Sequence, residues 1–496
     1  MFTTHPAIPS GLDLTLPDIG ESSGQYLSPE EDRRLGDAFM RTLRRSMTFA
    51  EDPVVAEYLG AIGQRIVAAS DAAGQAFSFF VVDDPTINAF AGPGGHIGVN
   101  AGLILATDTE SELAAVLAHE VAHVSQHHLA RTAEMSSQLS IPTLAAMLAA
   151  AVLASQGGGQ AGQAALATVM AGSTQLQLDF IRGNEQEADR VGIQALERSG
   201  FDPRAMPGFF ERLQAASRYD VGTLPEFLRT HPVTESRIAD ARNRAEQRSY
   251  RQYQDSLGYH LARVRLKIRT LRNPHQAVTE LGQALKNGQY RNPAAAHYGY
   301  ALALLAARDY SQAKTEIDRL LVADPERIPY LVTRADIELA AGHSEAAIKI
   351  YHDGLRLYPG NSSLTISAAQ ALLQTGRSRE ARDQLRSYVK EHPGDPALYK
   401  LLARAEGEAG GNTAAREAVA EYLYLTGETR GAIAELRKAI ADSQLDFYTG
   451  SRLDARLKEL EEEWEREKAK RSNRTPLTDV TSPLPPGYSP AVWLRS

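Results

Sequence analysis

Small residues recur at a fixed step of 34 through the second half of the chain. Ala301, Ala335, Ala369 and Ala403 form one series, and Ala313, Ala347, Ala381 and Ala415 form another. Pro325, Pro359 and Pro393 keep the same step. No other feature restricts the fold as severely. A unit of this length accommodates two antiparallel helices, which bury too little apolar surface to stand alone, so the units must stack side by side into a solenoid. Crossing helices need small side chains where they touch, and each pair needs a stop, which the alanine and proline series supply.

This is the pattern of tetratricopeptide repeats, and it predicts an all-α solenoid over 251–445. The stretches 257–285 and 431–440 fit the period only as degenerate end units. Beyond them, 446–471 reads as a charged helix, with 452–471 a solvated face. The segment 472–496, with Pro483, Pro485, Pro486 and Pro490, reads as a disordered tail.

The first half has a different character, and composition limits its chemistry. The 496 residues include no cysteine, which removes disulfides, thiol catalysis and thiolate metal sites. Any metal must be held by His, Asp or Glu. The net charge of −8, without a long basic tract, argues against nucleic acid as a partner. Residues 1–26 carry Pro, Gly, Ser and Asp without a basic start or continuous apolar run. They read as a flexible segment, neither signal peptide nor anchor. The most apolar window, 141–154, is broken by Gly157, Gly158 and Gly159 and is shorter than the roughly 18 to 20 residues needed to span a bilayer. It reads as a buried core helix or, more sharply, as a mobile or membrane-grazing flap.

Between 27 and 58 the pattern is helical, opened by Ser28-Pro29-Glu30-Glu31. Strands are predicted over 77–82, 87–91 and 96–100, with Gly92-Pro93-Gly94-Gly95 as a turn. Thr109-Glu110-Ser111-Glu112 reads as a capping box for a helix over about 110–131, and a further helix covers 173–198, stopped by Gly200. The fold class is therefore α+β: a mostly helical first domain with a small sheet over 27–250, then the solenoid.

Chemistry concentrates at His119-Glu120-Val121-Ala122-His123. Residues four apart share a helix face, so both imidazoles can ligate one divalent ion while Glu120 serves as general base for a hydrolytic water. A catalytic zinc wants three protein ligands and an open position. Continuing along the same helix fails, because Gln126 and Leu129 stand where the long form of the motif needs Gly and His. The best third ligand is Glu185 in Asn184-Glu185-Gln186-Glu187-Ala188-Asp189. Asp189 shares its face, so one carboxylate can bind metal while the other orients a ligand imidazole. By spacing alone, Glu185 also fits an ordinary solvent-facing helix carboxylate. Glu187 is expected to face solvent, and His127 and His128 receive a plain structural reading.

These residues resemble the HtpX and CaaX-prenyl-protease family of zinc endopeptidases, of gluzincin type. The resemblance also rests on Asn88-Ala89-Phe90-Ala91-Gly92-Pro93-Gly94-Gly95-His96-Ile97 and on His231-Pro232 with Glu235-Ser236-Arg237-Ile238, and it covers about 30–440. Repeats behind the peptidase without membrane spans are similar to the periplasmic branch of that family. The resemblance implies His119, His123 and Glu185 as ligands of one Zn²⁺, Glu120 as general base and Asp189 behind the ligands. It implies His231 close to the zinc, donating to the oxyanion or occupying the open position in a resting form, with Arg237 beside the site. It further implies that Asn88, Ala89, Phe90 and Ala91 form an edge strand to which substrate backbone adds. The plain reading of that segment is a structural strand, and that of His231 a surface histidine before proline.

The expected activity is hydrolysis of peptide bonds in misfolded or stalled envelope proteins. The repeats would recruit substrate or the outer-membrane β-barrel assembly machinery, and peripheral membrane contact is compatible with the chain. The insert at about 132–175 is expected to gate the cleft. The competing reading is a chaperone or adaptor acting through its repeats, with proteolysis repressed or rare. Prenyl-peptide processing within a membrane is disfavoured, since no spanning helices are available to house a lipid.

Overall fold

The computed structural model describes residues 28–129, 131, 141–155, 175–219, 225–248, 251–442 and 445–472. The expectations for 1–26, for 473–496 and for most of the 132–175 insert lie outside those residues.

The helical pattern over 27–58 divides into two helices. In α1 (Pro29–Ser46), Ser28 and Glu31 exchange hydrogen bonds as a capping box. In α2 (Pro53–Ala68), the Asp52 carboxylate accepts from Val54 and Val55 N–H, so a fresh cap starts a second helix where Pro53 would break a continuous one. A sheet follows, with β1 (Ser78–Val82), β2 (Ala89–Gly92) and β3 (His96–Asn100) in the order β1-β3-β2. β1 runs parallel to β3 with Phe79 opposite Ile97, and β2 runs antiparallel to β3 with Phe90 opposite Gly98. β2 is thus an edge strand, starting two residues later than the predicted 87–91. The turn between β2 and β3 holds Gly95 at φ 73°, where a Cβ would meet Ala76 O at 2.3 Å, so only glycine fits.

After α3 (Ala101–Ala106) comes α4 (Glu110–Ser125), buried continuously from Glu110 to Ala122. Such a helix is central, covered on every side rather than along one stripe. Its cap differs from the predicted box. Thr109 accepts from Glu112 N–H, but the Glu112 carboxylate reaches one residue further back, to Asp108 N–H, and pairs with Arg212. The helix also ends at Ser125, short of the expected Arg131, because His127 adopts a left-handed φ of 52°.

The described part of the insert is α5 (Ile141–Ser155). It lays Ala145 and Ala149 on α1, beside Phe39, Leu43 and Phe90, and touches the short α8 described below. Next come α6 (Gln175–Arg198), α7 (Ala205–Tyr219), α8 (Glu226–Thr230) and α9 (Glu235–Glu246). α6 packs along α4, and the main core gathers α2, the sheet, α4, α6 and α7 around Leu59, Ile97, Leu117, Ile193 and Phe209.

The solenoid opens with α10 (Leu257–Thr270) and α11 (Pro274–Lys286). Four regular pairs follow: α12 (Pro293–Ala306) with α13 (Tyr310–Ala323), α14 (Ile328–Ala340) with α15 (Ser344–Leu357), α16 (Ser362–Gln374) with α17 (Ser378–Glu391), and α18 (Pro396–Glu408) with α19 (Asn412–Leu425). Ala301, Ala335, Ala369 and Ala403 are buried, as are Ala313, Ala347 and Ala381, while Ala415 is half-buried. Each of Pro325, Pro359 and Pro393 falls two residues past a helix end. The stack is closed by α20 (Thr429–Ile440) and α21 (Phe447–Ser472). α21 is more than a solvated charged face, since Leu453 and Leu460 are fully buried against Leu436 and Ala439.

Polar contacts along much of its length hold the solenoid to the first half. Arg265 on α10 pairs with Asp52 and donates to Tyr298. Glu57 on α2 accepts from Asn361 and from the Ser363 backbone. Arg41 on α1 reaches Tyr424 and Glu463, while Arg44 donates to Leu425 O. Asp52 is buried, so removing Arg265 leaves its carboxylate without a counter-charge. Arg265→Met is expected to destabilise the junction by about 3 kcal/mol and to split thermal unfolding into two transitions. A single calorimetric transition at the parent temperature would contradict this.

Candidate metal centre

His119 and His123 lie on one face of α4, as their spacing requires, and α6 crosses there with Glu185 and Asp189 on its facing side. The C-terminal cap of α8 adds His231. α8 is tied to the sheet by the Phe227 N–H donating to Ile87 O, and His231 closes that helix by donating its N–H to Phe227 O. Phe210 and Phe227 pack edge-on against the His119 ring and exclude water from it.

His119, His123, Glu185 and His231 each offer a donor atom to one small volume, all within 4.8 Å of one another. His119 Nε2 lies 3.0 Å from His123 Nε2 and 3.3 Å from His231 Nδ1. Glu185 Oε2 is 3.5 Å from His119 Nε2, and Glu185 Oε1 is 3.3 Å from His123 Nε2 and 3.1 Å from His231 Nδ1. A tetrahedral zinc with bonds of about 2.0–2.1 Å has donor-to-donor edges of about 3.3 Å. The nitrogen and carboxylate donor set and its spacing therefore fit a zinc ion.

Glu120 is fully buried beside this volume. Its Oε1 stands 3.5 Å from His231 Nε2, the Ala91 backbone lends it a weak contact, and neither carboxylate oxygen closes a well-formed hydrogen bond among the described residues. A buried carboxylate in that condition is costly unless something else meets it. Burial raises the Glu120 carboxyl above its ordinary value, against the pull of His231 and His119.

Behind the donors lies a second set of contacts. Asp189 Oδ1 is 3.0 Å from His119 Nδ1, the ring nitrogen turned away from the centre. Arg237 holds both α6 carboxylates: Nε and Nη2 donate to Asp189 at 2.7 and 2.8 Å, and Nη1 donates to Glu185 at 2.7 Å. Burial opposes charge on Glu185, yet His231, His119 and His123 hold its carboxyl well below the usual range. The two α4 imidazoles part company. Burial disfavours the His119 cation, but Asp189 and Glu185 lift it to about 10, whereas burial drives His123 down to about 3.

His128 and Glu187, given plain readings above, are drawn into the site's surroundings. His128 is 3% exposed, with Nδ1 2.9 Å from His123 Nδ1 and Nε2 3.2 Å from Glu187 Oε2. Glu187 in turn accepts from Arg131 Nη2 at 2.7 Å rather than facing solvent alone. Helical periodicity offers no signal for this, because residues five apart do not share a face. Among the residues of the predicted substrate strand, Ala89, Phe90 and Ala91 lie in β2. Asn88 precedes it, fully buried, with its carbonyl accepting from Asn100 N–H. The Phe90 side chain packs inward against Phe80, with ring centroids 5.9 Å apart.

Comparison with known proteins agrees with this architecture. Residues 53–245 match Peptidase family M48, and residues 269–328 and 338–405 match tetratricopeptide repeat families. The chain is 38% identical to the beta-barrel assembly-enhancing protease of Yersinia pestis, over 90% of this chain and 91% of that one. It is 37% identical to the protein of the same name from Escherichia coli (strain K12), over 93% and 94%. The mitochondrial metalloendopeptidase OMA1 of Schizosaccharomyces pombe is 31% identical over 43% of this chain and 64% of that one. Similarity over nearly the full length of those first two relatives, with the zinc-type donor cluster inside the matched peptidase segment, makes this chain a member of peptidase family M48, a metallopeptidase followed by tetratricopeptide repeats.

Proposed function

We propose that this chain is a zinc-dependent endopeptidase of the periplasm that removes misfolded or stalled envelope proteins, with its repeats presenting substrate from the outer-membrane β-barrel assembly machinery. The observation that carries the reading is the buried Glu120 carboxylate, lacking a well-formed hydrogen bond, standing against four donor atoms spaced for one ion. Names of the relatives support the assembly role. No helix among the described residues is long and apolar enough to cross a membrane, which favours soluble protein substrates over lipidated peptides held within a bilayer.

His119, His123 and Glu185 would hold the zinc. When bound, it would act as a Lewis acid on the attacking water and the scissile carbonyl. The remaining work belongs to the protein. Glu120 takes a proton from the water as its oxygen bonds to the amide carbon, then delivers that proton to the amide nitrogen as the C–N bond breaks. The open edge of β2 offers main-chain groups to an extended substrate, which aligns the peptide with little regard to its side chains. Arg237 keeps both α6 carboxylates in place, and Asp189 fixes the His119 tautomer with Nε2 free to bind metal.

His231 is read as the occupant of the position a catalytic zinc keeps open. Its Nδ1 stands as far from Glu185 and His119 as the other donors stand from one another. Substrate must then displace it, which makes this a resting arrangement.

Three outcomes test the reading. Glu120→Gln is expected to lower kcat on casein by about 10²- to 10⁴-fold while leaving bound zinc unchanged by elemental analysis. Full rescue of a deletion strain by that variant would instead favour an adaptor working through its repeats. His231→Ala is expected to raise basal casein cleavage several-fold. A loss of activity would move His231 to the oxyanion and refute the resting role. Chelation is expected to abolish cleavage and also to lower the Tm, since the metal binds the folded site alone. An unchanged melting curve after the metal is stripped would contradict that linkage.

A further inference from the structure

We infer that His128 is a positioning residue for the metal ligand His123, the middle of a proton-ordered chain that runs from the ion to Arg131. The inference rests on the proposed reading of His123 as a ligand and extends it to residues outside the ligand motif.

His123 turns Nε2 toward His119 and Glu185, so a metal there takes the Nε2 lone pair. A neutral imidazole that ligates through Nε2 carries its proton on Nδ1. That nitrogen faces His128 Nδ1 at 2.9 Å, and two N–H groups cannot face each other, so His128 must accept through Nδ1. The His128 proton then lies on Nε2, which donates to Glu187 Oε2 at 3.2 Å. Glu187 is held in its charged form by Arg131 at 2.7 Å, with Arg190 at 3.5 Å. Every proton along the chain is thereby directed by the fixed charges at its far end.

The two imidazole ligands thus receive the same support in different ways. His119 meets a carboxylate directly, Asp189 held by Arg237. His123 meets one through an interposed imidazole. The backbone bears the cost of this arrangement. Had α4 continued, residue 128 would project away from His123, but His127 takes a left-handed φ of 52° and returns the chain beneath the helix. A non-glycine residue in that conformation is strained. Such strain persists where surrounding contacts hold it, and here the contact held is His128 against His123.

The test uses the full chain stripped of metal, with Zn²⁺ affinity measured by competition against a chromophoric chelator. His128→Leu removes the acceptor and is expected to weaken zinc binding about 10- to 100-fold. His128→Asn places an amide oxygen near the Nδ1 position and is expected to recover most of that loss. Glu187→Ala, at the half-exposed end of the chain, is expected to weaken binding several-fold although Glu187 touches no ligand. Affinity of His128→Leu within about twofold of the parent would overturn the inference. So would an Asn variant as weak as the Leu variant, which would indicate packing alone. Should His128→Leu fail to fold, Glu187→Ala decides: unchanged affinity there removes the chain. A parent protein that binds no Zn²⁺ refutes the metal site itself, an outcome distinct from parent binding that is indifferent to these substitutions.

Discussion

The structure turns on an imbalance of buried charge. Glu120, Glu185 and Asp189 are each at most 5% exposed where α4 meets α6, and the Arg237 guanidinium stands against the latter two. Carboxylates outnumber guanidinium in surroundings that solvate ions poorly, a condition that folded proteins relieve by pairing, protonation or metal binding. The strain shows in His119, whose imidazole is lifted to about 10 although burial opposes its charge. A divalent cation would add positive charge at the place where the donor atoms converge. Arg237 is decisive in this account because it spans both carboxylates of α6 and so keeps Glu185 aimed at α4 before any metal arrives.

The position of that imbalance depends on the rest of the fold. α4 can carry ionisable side chains in the interior because its other faces are sealed by α2, the sheet and α7. The edge strand β2 runs beside it, and α8, tied to Ile87, fixes the approach of His231. α1 is shared between two partners. Its apolar side packs on α5 and Phe90, while Arg41 and Arg44 reach the last repeats. The solenoid is therefore clasped to the peptidase at its beginning through Arg265, midway through Ser363, and at its end through Tyr424 and Glu463.

What the sequence disclosed follows from the range of each interaction. His119 with His123, and Glu185 with Asp189, are legible because four residues make about one helical turn, so the pattern is local. The alanine and proline series are legible because a stack repeats its contacts. His231 and Arg237 carry no local signature, and only resemblance to a family pointed to them. The Asp52–Arg265 pair joins residues 213 positions apart, and nothing in either neighbourhood announces the other. In α21 the charges concealed a readable signal, since Leu453 and Leu460 are seven apart and form a buried seam.

His128 shows where pattern reading ends and geometry takes over. A helical reading carried past Ser125 gives His127 and His128 plain structural roles, and that of His128 reverses once the helix stops. The stop is encoded by neither glycine nor proline, the residues that ordinarily mark one. It arises because a left-handed turn at His127 lets two imidazoles and a carboxylate satisfy one another in a space where unpaired polar atoms are expensive. Local propensity favours continuation, while the buried hydrogen bonds that the turn makes possible outweigh it. A departure from local preference beside a catalytic motif therefore serves as a guide to the residues that hold the motif in place.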